Sequence, residues 1–114
     1  MIKIEAIVRE EKLEDIKEAL AKIEIKGITV SQVMGCGTQK GYKELVRGTE
    51  VYINMLPKIK FEIIVSSETS EEKVIKTIQE VAYTGNPGDG KIFSYDLRSI
   101  MRIRTKEVGT SAII

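Results

Sequence analysis

An α+β domain built from two βαβ units in tandem is the fold this sequence predicts, and three patterns predict it. Strand-like alternation and helical spacing follow each other in the order β-α-β twice over. A stretch from Gly35 to Met55 with neither period separates the halves. A glycine-rich turn, Thr84 to Gly90, then joins the second helix to the strand that follows it.

Met1 to Arg9 sets Ile2, Ile4, Ala6 and Val8 on one face and Lys3, Glu5, Ile7 and Arg9 on the other, the period of a strand. Lys12 to Ile23 carries Leu13, Ile16, Ala19, Leu20 and Ile23 at helical spacing. Glu10, Glu11, Glu14 and Asp15 cluster near the end where the helix dipole favours negative charge. Lys26-Gly27 turns the chain, and Ile28 to Met34 is the second strand. From Gly35 to Met55 four glycines, several charges and no sustained apolar period mark a long loop, and such loops in small domains are functional or disordered.

Lys58 to Val65 restores a strand, with Ile59, Phe61, Ile63 and Val65 inward and Lys58, Lys60, Glu62 and Ile64 outward. A capping box from Thr69 to Glu72 opens the second helix, whose inner face is Val74, Ile75, Ile78, Val81 and Ala82. Short strands are expected at Lys91 to Tyr95 and Ile100 to Arg104, and Thr105 to Ile114 as a loosely held tail. The order is βαββαβ with a long loop between strands 2 and 3, the ferredoxin-like plan. Two helices cover one sheet face; Ile7 and Ile64 lie on the other, so self-association is expected there.

The 114 residues make one domain, 1–114, with room for a real core but not for two. Eighteen basic residues against 17 acidic ones leave a net charge of +1, so no basic field recruits nucleic acid or anionic membrane. The apolar runs are short, and the N-terminus alternates as no signal peptide does; a cytoplasmic protein with no membrane insertion is expected. One cysteine excludes an internal disulfide, and with no histidine a Cys/His zinc site within one chain is excluded too. Losing histidine also removes the commonest general base, which tilts the reading from enzyme to binding protein.

Thr84-Gly85-Asn86-Pro87-Gly88-Asp89-Gly90-Lys91 is the chemistry of a phosphate cradle: glycines expose backbone N–H groups to an anion and a lysine adds positive charge. Its spelling approaches a Walker A loop, but Ile92 replaces the Ser/Thr that would hold Mg²⁺, and the loop runs from helix to strand. A P-loop is excluded; a plain glycine turn is the alternative. On the last strand, alternation puts Arg102 and Arg104 on one face, and paired guanidiniums suit a polyphosphate or simply a solvated face. Gly35-Cys36-Gly37 follows a strand and exposes further N–H groups, a weak signal by itself.

Several separate stretches agree on one family. Thr84-Gly85 with Gly88-Asp89-Gly90-Lys91-Ile92-Phe93, Arg102-Ile103-Arg104-Thr105, Gly35-x-Gly37-x-Gln39-Lys40-Gly41, Arg47-Gly48 with Glu50, and Leu56-Pro57-Lys58-x-Lys60-x-Glu62 together resemble the PII signal transduction proteins, sensors of nitrogen status. The match runs from Met1 to about Glu107. The resemblance implies a homotrimer with ATP or ADP bound in clefts between subunits. It implies that Gly88, Asp89, Gly90 and Lys91 wrap the phosphates, with Arg102 and Arg104 reaching them from a second subunit. Thr29, Gly35, Gly37, Thr38 and Ile64 would line the nucleotide pocket, and Glu62 would help order it. It further implies 2-oxoglutarate beside ATP through Mg²⁺, with Gln39 on the ion, Lys58 on a carboxylate, and the backbone at Gly37 and from Gln39 through Lys40 to Gly41 around the rest.

Residues 37–55 would then be a mobile loop that docks on target proteins through Arg47, Gly48, Thr49, Glu50 and Val51. Candidate targets are an ammonium transporter, which would recruit the protein to a membrane, or a nitrogen-metabolism enzyme or regulator. Val51 stands where many relatives carry a uridylylated tyrosine, so no uridylylation is expected; Tyr52 lies one position late. Thr49 falls where some relatives carry a phosphorylated serine, and Thr38 where an arginine is common. The alternative is a PII-like sensor of adenine nucleotide or another metabolite that ignores 2-oxoglutarate, against which Gln39 and Lys58 both speak. A nucleic-acid module is disfavoured because the outward positions Lys3, Glu5, Ile7, Lys58, Lys60 and Glu62 of strands 1 and 3 include no aromatic.

Overall fold

The computed structural model describes residues 1–37, 44–46, 49–51 and 54–113. Strand β1 (Ile2–Arg9) leads through a short 3₁₀ turn, Glu10–Lys12, into helix α1 (Leu13–Lys22). Strand β2 (Ile28–Gly37) follows, then a two-stranded ribbon of β3 (Glu44–Val46) and β4 (Thr49–Val51), and the long strand β5 (Asn54–Val65). Helix α2 (Glu68–Ala82) and strand β6 (Gly90–Asp96) complete the second unit. The main sheet has the order β2-β5-β1-β6 with every neighbouring pair antiparallel, which is the ferredoxin-like α+β topology expected.

Alternation decides which face is buried. Ile4, Ala6, Val8, Phe61 and Ile63 are almost fully shielded, and Ile16 and Leu20 of α1 and Val74 and Ile78 of α2 close over them. Each of these side chains other than Ala6 contributes roughly 1.5–3 kcal/mol by leaving water. The helices are held against one face only, and the opposite face carries the polar set.

Four expectations are corrected. The Gly35–Met55 stretch is not patternless throughout: β2 continues to Gly37 and β5 begins at Asn54, paired from Cys36 with Met55 to Gly37 with Asn54. Glycines and Pro57 hid this extension. Pro57 is tolerated because β1 stops at Arg9, opposite Lys58, leaving this part of β5 with a neighbour on one side only. The second helix starts earlier than its expected box: Ser67 is the cap, its hydroxyl accepting from the Ser70 amide at 3.2 Å.

Ile100 to Arg104 is not a strand. Among the described residues a single bridge forms there, between Met101 and Val108. The chain closes on itself instead, with the Arg102 amide donating to Glu107 O at 2.9 Å and the Lys106 amide to Arg102 O at 2.8 Å. Met-Arg-Ile-Arg alternates correctly, but a strand also needs a partner with which to form a ladder. The tail is not loose either. Gly109–Ala112 forms a 3₁₀ turn with Ala112 buried, and the Ile113 carbonyl lies against Gly27.

Candidate functional site

The glycine loop between α2 and β6 is fastened by a single carboxylate. Asp89 accepts from the Thr84 amide at 2.8 Å, the Gly85 amide at 3.0 Å, the Thr84 hydroxyl, and Arg9 Nε at 3.2 Å. Arg9 Nη2 also donates to Pro87 O at 2.8 Å. Donation first from the Thr84 hydroxyl, then from the backbone amides and Arg9, holds the Asp89 carboxyl far below the usual carboxylate range. Asp89 therefore closes the loop, and its charge is already answered inside the chain.

Gly90 seats the other end. Its φ of +109° lies in the region open to glycine, and a Cβ there would come within 1.8 Å of the Ile7 carbonyl oxygen. Only a bare backbone can approach β1 this closely. Beneath the loop, Lys58 on β5 donates from Nζ to Gly88 O at 2.7 Å, and the lysine stem passes so close to Gly35 that a Cβ would stand 3.0 Å from Lys58 Cγ. The sheet thus gathers Gly35, Lys58, Gly88, Asp89 and Gly90 at one corner, with Lys91 paired to Ile7 beside them.

From this corner the open face runs along β5 and β1 as interlocked ion pairs: Lys60 Nζ to Glu5 at 2.7 Å, and Lys3 Nζ to Glu62 at 2.8 Å. Lys60, with Tyr95 helping, lowers the Glu5 carboxyl below its ordinary value; Glu5 in turn raises Lys60. Glu62 raises Lys3. The aromatic-free reading of this face holds for β1 and β5 alone. Register places Phe93 opposite Glu5 and Tyr95 opposite Lys3, so β6 adds two half-exposed aromatics to it.

Thr29, Glu62 and Ile64 meet at the far end, where with Ile28 and Ile113 they line a cavity of about 300 Å³. Lys3, paired with Glu62, lines it too, so the pocket mixes three isoleucines with a hydroxyl and an ion pair. Lys58 and Glu62 are four residues apart on one strand face, roughly 13 Å. Arg102 and Arg104 do not join either end as a pair. Arg102 donates to Glu107 at 2.8 Å and to Ser111 O at 3.3 Å, while Arg104 is exposed in the turn; the shared-face argument for the two fails with the missing strand.

Gly37, Thr49, Glu50 and Val51 enter the structure through backbone pairing, at the β2–β5 junction and in the β3–β4 ribbon. Thr38, Gln39, Lys40, Gly41, Arg47, Gly48 and Tyr52 lie outside the described residues. Two residues organise the corner in roles the sequence did not announce: Arg9, and Thr84 as a donor to Asp89. Arg9 carried a weak signal: it ends β1 on the polar face, where a carboxylate or water could meet it. Among the described residues no helix is long and apolar enough to cross a membrane.

Comparison with known proteins now bears on this corner. The family model described as nitrogen regulatory protein P-II matches residues 1–107. Over 113 residues the chain is 49% identical to the nitrogen regulatory protein P-II of Pasteurella multocida and 48% to that of Azospirillum brasilense, covering 99% of this chain and all of each relative. Among solved structures, the B. subtilis GlnK–ATP complex superposes with a TM-score of 0.80 at 40% identity, covering 97% of this chain and 96% of that one. Arabidopsis thaliana PII bound to citrate gives 0.77 at 38%, covering 98% and 88%. Sequence, topology and the glycine corner agree: the chain belongs to the nitrogen regulatory protein P-II family, regulators that act by signal transduction.

Proposed function

We propose that this PII protein reports nitrogen, carbon and energy status by binding ATP or ADP and 2-oxoglutarate in clefts of a homotrimer, and passes the state to target proteins through residues 37–55. The observation that carries this reading is the corner where Lys58 touches Gly88 O at 2.7 Å, because it joins a phosphate-type loop to a lysine able to pair with a carboxylate. The B. subtilis neighbour's ATP and the Arabidopsis neighbour's citrate, a nucleotide and a polycarboxylate, support the same pairing of ligand classes.

In this reading Gly88, Gly90 and Lys91 hold the phosphates, and Thr29, Glu62 and Ile64 take the base. Asp89 serves by fixing the loop, since its oxygens are already engaged. Gly35 with the backbone beyond it flanks the effector, with Gln39 contributing to Mg²⁺. Arg102 and Arg104 come from a neighbouring subunit, whose approach the open sheet face accommodates. Ligands shift the population of loop conformers, and a target reads the outcome. Candidate targets are an ammonium transporter or a nitrogen-metabolism enzyme or regulator, met without uridylylation because residue 51 is valine.

Calorimetric titration of 2-oxoglutarate into Mg·ATP-loaded protein, with an Mg·ADP control, tests the reading. Binding that requires Mg·ATP is expected, with Lys58→Ala weakening it by about tenfold or more, as loss of a charge-assisted bond does. Nucleotide binding without any 2-oxoglutarate response would leave an adenine-nucleotide or other-metabolite sensor. No nucleotide binding would sink the assignment altogether.

A further inference from the structure

The extended ends of β2 and β5 bring together three sulfur side chains that no nucleotide chemistry uses. Cys36 and Met55 are directly opposed across the ladder, and Met34 lies two residues from Cys36 on the same strand face. All three are exposed, Met34 at 58% and Met55 at 61%. Lys58 pairs with Val33 and therefore belongs to the other face, so the sulfur set stands with its back to the glycine corner. On the same strand face Gln32 donates to Glu10 of the 3₁₀ turn at 2.9 Å.

We propose that Met34, Cys36 and Met55 form a three-sulfur site for a soft monovalent metal ion, Cu(I). Directly opposed residues have Cβ atoms about 5 Å apart and diagonal neighbours roughly 7–8 Å. Met34 and Met55 are such diagonal neighbours, since Met34 pairs with Pro57. Methionine is unbranched and rotates about three bonds, which carries both thioethers inward over that span to meet the cysteine. One thiolate and two thioethers are the ligand set that selects Cu(I) over harder ions. Among the described residues no three His, Cys, Asp or Glu side chains gather to compete as a harder site. On binding, the Cys36 thiol gives its proton to solvent and the sulfur bonds to Cu(I); no electron is transferred.

Large apolar thioethers in water are the second reason for the assignment. Surface methionines scattered singly need no explanation, but two beside an exposed thiol on one strand face place donor sulfur where an ion can reach it. The ion would clamp β2 to β5 at the root of the 37–55 segment, stiffening the pair that ends at Gly37 and Asn54.

The test is anaerobic titration of the full-length protein with Cu(I) held by the chromophoric chelator bicinchoninate, measuring copper transfer and stoichiometry. One Cu(I) per chain is expected. Cys36→Ser is expected to abolish transfer, and Met34→Leu and Met55→Leu each to weaken it by about tenfold or more. These exposed positions leave the core intact, and circular dichroism on each variant verifies folding. The proposal is overturned if copper stays with the chelator, if both methionine variants bind as wild type, or if less than one copper per chain shows the cysteine bridging between chains. Nucleotide titration on the same variants reads an independent face, so failure here and failure of the nucleotide assignment are told apart.

Discussion

The loop from Thr84 to Gly90 and the turn from Arg102 to Glu107 both carry residues that our proposed function assigns to phosphate. The chain treats them differently. The loop is finished: Asp89 collects four donors from three residues, Gly90 sits in contact with β1, and Lys58 supports it from below. The turn holds its backbone with two hydrogen bonds, ties Arg102 to its own Glu107, and leaves Arg104 exposed and Ile103 at 92% exposure. One segment is preorganised by its own subunit; the trimeric reading under our proposed function would have the other completed by a second.

Breaking the finished half gives the largest effect. Gly90→Ala adds a methyl that would stand 1.8 Å from the Ile7 carbonyl at a φ of +109°, so β6 must part from β1 at Val8. A loss of about 3 kcal/mol or more in denaturant unfolding is expected, the sum of backbone strain and a broken pairing. A loss below about 1 kcal/mol would mean the loop is as adaptable as the turn.

Asp89→Asn comes next and tests what fastens the loop. The folded Asp89 carboxyl titrates far below its ordinary value, so it stabilises the fold at every pH above about 4, where the unfolded carboxyl is ionised as well. As pH falls below about 4 the unfolded chain takes up a proton that the folded one refuses, and this stabilisation fades toward the folded value. The variant is expected to melt at a lower temperature than wild type near neutrality, with the gap narrowing through the acid range. Melting curves that run parallel from pH 7 to the acid limit would show that another group holds the loop.

The same contrast explains what was legible in the sequence. Core alternation in β1 and β5 and the apolar stripes of both helices follow from local periodicity, so Ile4, Phe61, Ile16 and Ile78 were identifiable before any coordinates. The glycine loop was legible as a motif because glycine and lysine types announce themselves. Its fastening was not, since Arg9 and Asp89 are 80 residues apart and no local period links them. The last strand was misread for the opposite reason: Arg102 to Arg104 has the local pattern, while among the described residues no strand pairs with it. The extension of β2 through Gly37 was hidden because glycines and a proline carry no alternation, although pairing in register does not need it.

Glu107→Ala gives the smallest effect and sharpens the comparison most. Arg102 Nη1 and Glu107 Oε1 are 2.8 Å apart, but both side chains are partly in solvent, at 27% and 42% exposure. Such a pair contributes below about 1 kcal/mol to stability, and unfolding curves are expected to shift by no more. Nucleotide affinity is expected to rise, by at most about fivefold, because Arg102 no longer has to leave a carboxylate before meeting a phosphate. Isothermal titration with Mg·ATP measures it. A fall in affinity would reverse the lesson: Glu107 would then be aiming Arg102 at its ligand as Asp89 shapes the glycine loop, and the turn would be preorganised from within its own chain too.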